Sequence, residues 1–237
     1  MTPRGIVLHL SASRFGDAAQ IDQWHRAQGW SGIGYHRVIL NGVRTGRQAY
    51  RPDLDGVIQR GRPDNVMGAH CKAEGMNRCT LGIVCIGLPG YVPSGATPAP
   101  AEAVVRAYLT ERQWRALVDA VARLCARYRL DPQGTFVHPD TGRRYPVLSQ
   151  HSDHDPGKPF CASLQMPAVR RSVAQEVQRL QQETPPGIAI GDWQEMATVA
   201  PDAEAIEALL PEYRGANGPD GPADLERDLP RRQEKVS

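Results

Sequence analysis

Residues 149–161, which read Ser-Gln-His-Ser-Asp-His-Asp-Pro-Gly-Lys-Pro-Phe-Cys, gather two imidazoles, a thiol, two carboxylates and an ammonium into one stretch. Each of these groups costs free energy when buried without a partner, so core packing gives no reason for the set. A divalent metal does, because imidazole nitrogen and thiolate sulfur are the donors zinc prefers. His151 and Cys161 lie too far apart in sequence to share a helical face. Pro156, Gly157 and Pro159 would therefore fold the loop back to bring them together. His154 is a second imidazole in the same loop; His151 is favoured because it ends a strand, so that rigid backbone places it. A third donor must come from elsewhere. His9 stands near the end of an apolar segment, where open α/β sheets place functional groups. By itself, a lone histidine on a strand is more often a satisfied core residue than a ligand.

The elements that would position these groups follow from periodicity and punctuation. Residues 5–13 read as a buried strand entering a small-residue loop. Residues 17–28 have helical spacing closed by Gly29. Residues 31–40 form a Gly-hinged strand ended by the Asn41-Gly42 turn, which predicts a hairpin with its return strand at 46–50. Residues 51–64 read as a surface loop or a short edge strand. The run 80–87 is the most strand-like in the chain and apolar enough to be central. Thr110 caps a helix whose apolar stripe is Trp114, Leu117, Val118, Val121, Leu124, Cys125 and Tyr128. That stripe is core. Residues 131–146 form a turn-rich connector with His138 on the surface, 146–150 a last strand, and 166–182 a second helix. A domain over 1–183 is expected, followed by an extension over 184–237 that is partly disordered by composition.

Bulk properties exclude several classes. A formal charge of +2 among 23% charged residues, with no Lys/Arg block, offers no nucleic-acid surface. Apolar runs are far too short to insert in a membrane. The N-terminus enters its first strand without an apolar leader, which predicts a cytoplasmic protein as synthesised. Five cysteines form no CxxC pair. They read as reduced thiols, or Cys71 and Cys79 could close a disulfide across a turn.

In order, the segments resemble the type 2 N-acetylmuramoyl-L-alanine amidases, the phage-lysozyme-like relatives of peptidoglycan recognition proteins. The resemblance is carried by His9 within Val7-Leu8-His9-Leu10-Ser11, by residues 21–30 followed by Gly34-Tyr35-His36, by Gly68-Ala69-His70 with Asn77 and 81–87, and by His151, Asp153, Pro156-Gly157 and Cys161. It spans roughly residues 5–180. It implies an α/β fold with a central mixed β-sheet flanked by helices, and a zinc ion held by His9, His151 and Cys161 with a fourth position open to water. The implied reaction is hydrolysis of the amide between N-acetylmuramic acid and L-alanine, with Tyr35 beside the metal as a catalytic phenol. His36, His70 and Asn77 would line the groove that binds substrate, although Asn77 reads equally as a turn residue and His70 as a core histidine.

Pro159 stands where relatives with this loop length carry their catalytic lysine. Lys158, one residue earlier, has a stem long enough to reach the oxyanion, or it is a solvated loop lysine. Asp153 could orient a ligand imidazole or stabilise its own turn. The resemblance further implies a monomeric phage or prophage endolysin. Its substrate would be peptidoglycan after release from the cytoplasm, or muropeptides within it. Two alternatives stay open: a non-catalytic peptidoglycan-binding module of the same fold, and a closed structural zinc site with His154 as fourth ligand.

Overall fold

The computed structural model describes residues 1–183, so the expected extension over 184–237 lies outside the described residues. The first strand, β1 (Gly5–Leu10), is buried along its whole length, as expected of a largely apolar run covered on both faces, with His9 its one polar side chain. Asp17 then caps α1 (Ala18–Ala27), its carboxylate accepting from the Gln20 N–H at 2.8 Å. The chain returns through β2 (Arg37–Asn41), β3 (Asp55–Arg60) and the buried β4 (Thr80–Cys85). Next come α2 (Glu111–Tyr128), the short strands β5 (Thr135–Val137) and β6 (Arg144–Pro146), then β7 (Leu148–Gln150) and α3 (Met166–Glu183).

Five strands make one sheet in the order β3-β2-β4-β1-β7, with β5 and β6 paired separately. β2, β4, β1 and β7 run parallel, and β3 joins antiparallel at the edge. The central run 80–87 and both long helices fall where the sequence predicts them. Thr110 and Gln113 form a reciprocal capping box at the start of α2. Gln113 is itself buried, and its amide donates to the Ile39 and Ile86 carbonyls at 3.2 and 2.8 Å, pinning α2 to the middle of β2 and the end of β4. The apolar stripes of α2 and α3 complete a core with Ile6, Leu8, Leu81, Ile83 and Leu148. No helix among the described residues is long and apolar enough to cross a membrane.

Two expectations are corrected. The hairpin exists, but its return strand is β3, within the stretch read as a loop or edge strand, and 46–50 is not a strand. Asp55 explains the displacement: its carboxylate accepts from the Tyr50 and Thr110 hydroxyls at 2.8 and 2.6 Å, anchoring the start of β3 beneath α2. His138 is not a surface residue. It is 1% exposed, because the turn before β6 folds over its ring and the N–H groups of Asp140 and Thr141 donate to its Nδ1.

A buried ion pair ties β2 to the loop before residue 70. Arg37 donates to both oxygens of Asp64 at 2.7 and 3.2 Å, and the Tyr128 hydroxyl donates to the same carboxylate at 2.9 Å. Burial alone would raise the Asp64 pKa, but the Arg37 hydrogen bond and charge outweigh it and hold it below its ordinary value. A depressed carboxylate pKa adds stability that is fully present above the ordinary carboxylate range and is lost as the pH falls below it. Asp64→Ala removes the carboxylate that pairs with the buried Arg37 guanidinium and leaves it its hydrogen bond to the His36 carbonyl. We expect a loss of about 3–5 kcal/mol in denaturant unfolding at neutral pH, and a smaller difference from the parent chain in acid.

Candidate metal centre

The parallel register explains why two distant imidazoles meet. Leu8 of β1 lies opposite Gln150 of β7, so the next residues, His9 and His151, emerge side by side at the same end of the sheet. Their ring centroids are 4.7 Å apart, close to the ~4.8 Å spacing of neighbouring strands. After His151 the chain makes a short 3-10 turn, His151–Asp153, and loops back, with the Ser152 N–H donating to the Cys161 carbonyl at 2.5 Å. That closure delivers the thiol. One donor atom each from His9, His151 and Cys161 lie within 4.8 Å of one another, and these three are the only such group among the described residues.

Hydrogen bonds set which nitrogen of His9 faces the cluster. The Thr80 carbonyl can only accept, so the proton of His70 sits on Nε2, which donates to it at 3.2 Å. His70 Nδ1 is then an acceptor and takes the Nε2–H of His9 at 3.1 Å. His9 Nδ1 is left with a lone pair, 3.7 Å from Cys161 Sγ. Around a tetrahedral zinc, the usual metal–nitrogen and metal–sulfur lengths place such a pair about 3.5 Å apart. Burial, with the neighbouring His70 and His151, holds the His9 pKa well below its ordinary value. Burial likewise brings His70 down to about 3 and His151 to about 4. All three rings are therefore neutral at pH 7, the state in which imidazole binds a metal. Donor types, spacing and protonation all fit zinc.

The three residues expected to line a groove have other partners. His36 is fully buried; its Nε2 donates to the Val66 carbonyl at 3.1 Å and its Nδ1 accepts from the Gly82 N–H at 2.9 Å. His70 is buried between Thr80 and His9, against Gly82, where an added Cβ would lie 2.4 Å from the His70 ring. Asn77 Oδ1 accepts from the N–H groups of His70 and Cys71 at 2.7 and 2.8 Å. We correct the expectation accordingly: His36 and His70 are internal, and Asn77 is the turn residue that holds His70. Sequence alone missed this chain of bonds, although the Gly68-Ala69-His70 and Leu81-Gly82 pieces mark the close approach it needs.

Tyr35 stands beside the cluster, its ring centroid 5.1 Å from that of His9. Gly34 lets it in, since a Cβ there would meet the Ala69 carbonyl oxygen at 2.2 Å, and the Gly34 N–H donates to His25 Nδ1 at 2.9 Å. Burial pushes the Tyr35 phenol well above its ordinary value, so it keeps its proton at any working pH. Lys158 follows the bend of the loop, and its charge is among those that disfavour protonation of His151. Asp153 accepts from the Gln150 N–H at 3.0 Å, so it stabilises the turn, and it is Asp155 that lies 3.8 Å from His151 Nε2. His154 faces away from the cluster, toward Glu74 and Ser149. Cys71 and Cys79 are both free thiols.

A five-stranded mixed sheet thus carries, at the end of its parallel strands, a His/His/Cys cluster that could hold a metal ion. The family model described as N-acetylmuramoyl-L-alanine amidase matches residues 1–158, two thirds of the sequence, and the chain belongs to that family. The endolysin of Klebsiella phage KP32 is 30% identical over 112 residues, 45% of this chain and 64% of that protein. The endolysin of Enterobacteria phage T3 is 30% identical over 89 residues, 36% of this chain and 49% of its own length. The chain thus spans less than two thirds of these curated relatives. Among solved structures, the N-acetylmuramoyl-L-alanine amidase LysC from Clostridium intestinale aligns with a TM-score of 0.47 at 23% identity, covering 73% of this chain and 86% of that one.

Proposed function

We propose that this protein is a zinc-dependent peptidoglycan hydrolase that cleaves the amide between N-acetylmuramic acid and L-alanine of the stem peptide, acting as a phage or prophage endolysin. The observation that carries the reading is the meeting of three donors of zinc-preferring type, His9, His151 and Cys161, within 4.8 Å. His154 bonds elsewhere, which argues against a closed structural site, since such a site needs a fourth protein ligand.

His9, His151 and Cys161 would hold the ion. Zinc, when bound, supplies Lewis acidity toward a carbonyl oxygen and lowers the pKa of water to about 7. The residues around it supply the rest. Tyr35 Oη retains its proton and donates a hydrogen bond to the oxygen of the amide carbonyl as negative charge gathers there. The Lys158 ammonium adds a positive charge on the same side. His70 keeps the His9 proton on Nε2 throughout, so that Nδ1 remains a donor to the metal.

The test is digestion of purified cell walls with and without a chelator. New amino-terminal alanine on the stem peptides, lost with the chelator and restored by zinc, is the expected result. Cell-wall binding without any such release would instead identify a non-catalytic peptidoglycan-binding module. His70→Phe keeps an aromatic ring, somewhat larger, but removes the acceptor for His9 Nε2–H. We expect it to weaken zinc affinity by about 10–100-fold, measured by competition with a chromophoric chelator.

A further inference from the structure

We propose that Glu74 is a positioning residue for His151, an inference that rests on the metal reading above. Glu74 lies in the loop between His70 and β4, far from the cluster in sequence. Its Oε2 is 2.8 Å from Nδ1 of His154, 80 residues away. His154 Nε2 in turn lies 2.8 Å from the Oγ of Ser149. A carboxylate only accepts, so His154 carries its proton on Nδ1 and takes the Ser149 hydroxyl proton at Nε2, leaving every polar atom of the chain matched.

The arrangement has the order of a nucleophilic triad, but Ser149 is only 2% exposed and pairs within the sheet opposite Val7, so no substrate carbonyl can approach its oxygen. Its position in the fold points to a brace. Ser149 lies in β7 two residues before His151, which follows the strand directly, and His154 closes the turn behind it, its N–H and that of Asp155 both donating to the His151 carbonyl at 3.0 Å. Through its bond to Ser149, the His154 imidazole links the far end of that turn back to β7. Glu74 holds the imidazole from the opposite loop, with Arg143 3.8 Å from its other oxygen. Glu74 also has a φ of 53°, an unfavourable left-handed conformation that a non-glycine residue keeps only where its surroundings impose it. One loop then sets both imidazoles of the cluster, His9 through His70 and His151 through Glu74.

The test compares Glu74→Ala, which removes the acceptor, with Glu74→Gln, which keeps an oxygen for the His154 proton. Alanine and glutamate meet the same backbone cost at this φ, so the comparison isolates the side chain. With unchanged far-UV circular dichroism, Glu74→Ala should bind zinc about tenfold or more weakly and shift the visible absorption of the cobalt-loaded protein. In the metal-free protein the amides of His154 and Asp155 should exchange with solvent at least about tenfold faster. Glu74→Gln should recover most of each effect. Wild-type metal affinity and cobalt spectrum in Glu74→Ala would overturn this inference alone, as would amide exchange that does not change. A wild-type protein that takes up neither metal would overturn the metal reading and this inference with it.

Discussion

Cys161→Ala should leave a folded protein that no longer retains zinc at concentrations where the parent chain does, and release of stem peptides should fall by about a thousandfold or more. The argument is one of geometry. Cys161 is the one sulfur among the three donors, and the loop that carries it is closed by backbone bonds that do not involve the thiol, such as Ser152 N–H to the Cys161 carbonyl. Removing Sγ leaves two imidazoles whose affinity for zinc is set by two contacts instead of three. Metal content by atomic emission, circular dichroism and cell-wall digestion on the same samples check the three parts of the expectation. A variant with undiminished activity would show that the cluster is not the working site.

Tyr35→Phe should separate catalysis from metal binding. The phenol adjoins His9 without belonging to the donor group, so zinc content should not change. Loss of a hydrogen bond made chiefly as the carbonyl oxygen gains charge should lower kcat by about a hundred- to a thousandfold and leave KM nearly unaltered. Because burial keeps the phenol protonated, the residual activity of Tyr35→Phe should keep the pH profile of the parent enzyme through the alkaline limb. A parallel fall in zinc content would instead make Tyr35 a packing residue of the centre.

What could be read from the sequence depended on how local its cause was. The buried run of β4, the capped stripe of α2 and the strand ending at Gln150 are written in neighbouring residues, and each appears where periodicity puts it. Two of the donors, His151 and Cys161, were legible because imidazole and thiol in a Pro/Gly loop have no reason to fill a core, whereas His9 lies on a strand and was singled out as a ligand only through the family resemblance. The hairpin's return strand was not legible. β3 mixes Asp55, Gln59 and Arg60 with apolar residues, and it is placed by side-chain bonds from Tyr50 and Thr110 that no local pattern announces. The same holds for His70 and Glu74. Their roles are set by partners 61 and 80 residues distant and by proton positions that follow only from knowing each acceptor. His138 was misplaced for a related reason: proline and turn residues around it signal surface, while the turn they make folds over the ring.

The placement of β7 has a mechanical consequence. It meets β1 through three residue pairs at the margin of the sheet, and Arg170 of α3 clasps its Leu148 carbonyl from outside at 2.8 and 3.1 Å. An ion shared between the ends of β1 and β7 would act as a rivet across that narrow seam. The seam joins an edge strand through only three pairs, as few as any in the sheet, so warming the ion-free chain would unzip it ahead of the interior and scatter the donors while most of the architecture still stood. Metal uptake and heat resistance would then be two readings of the same fastening.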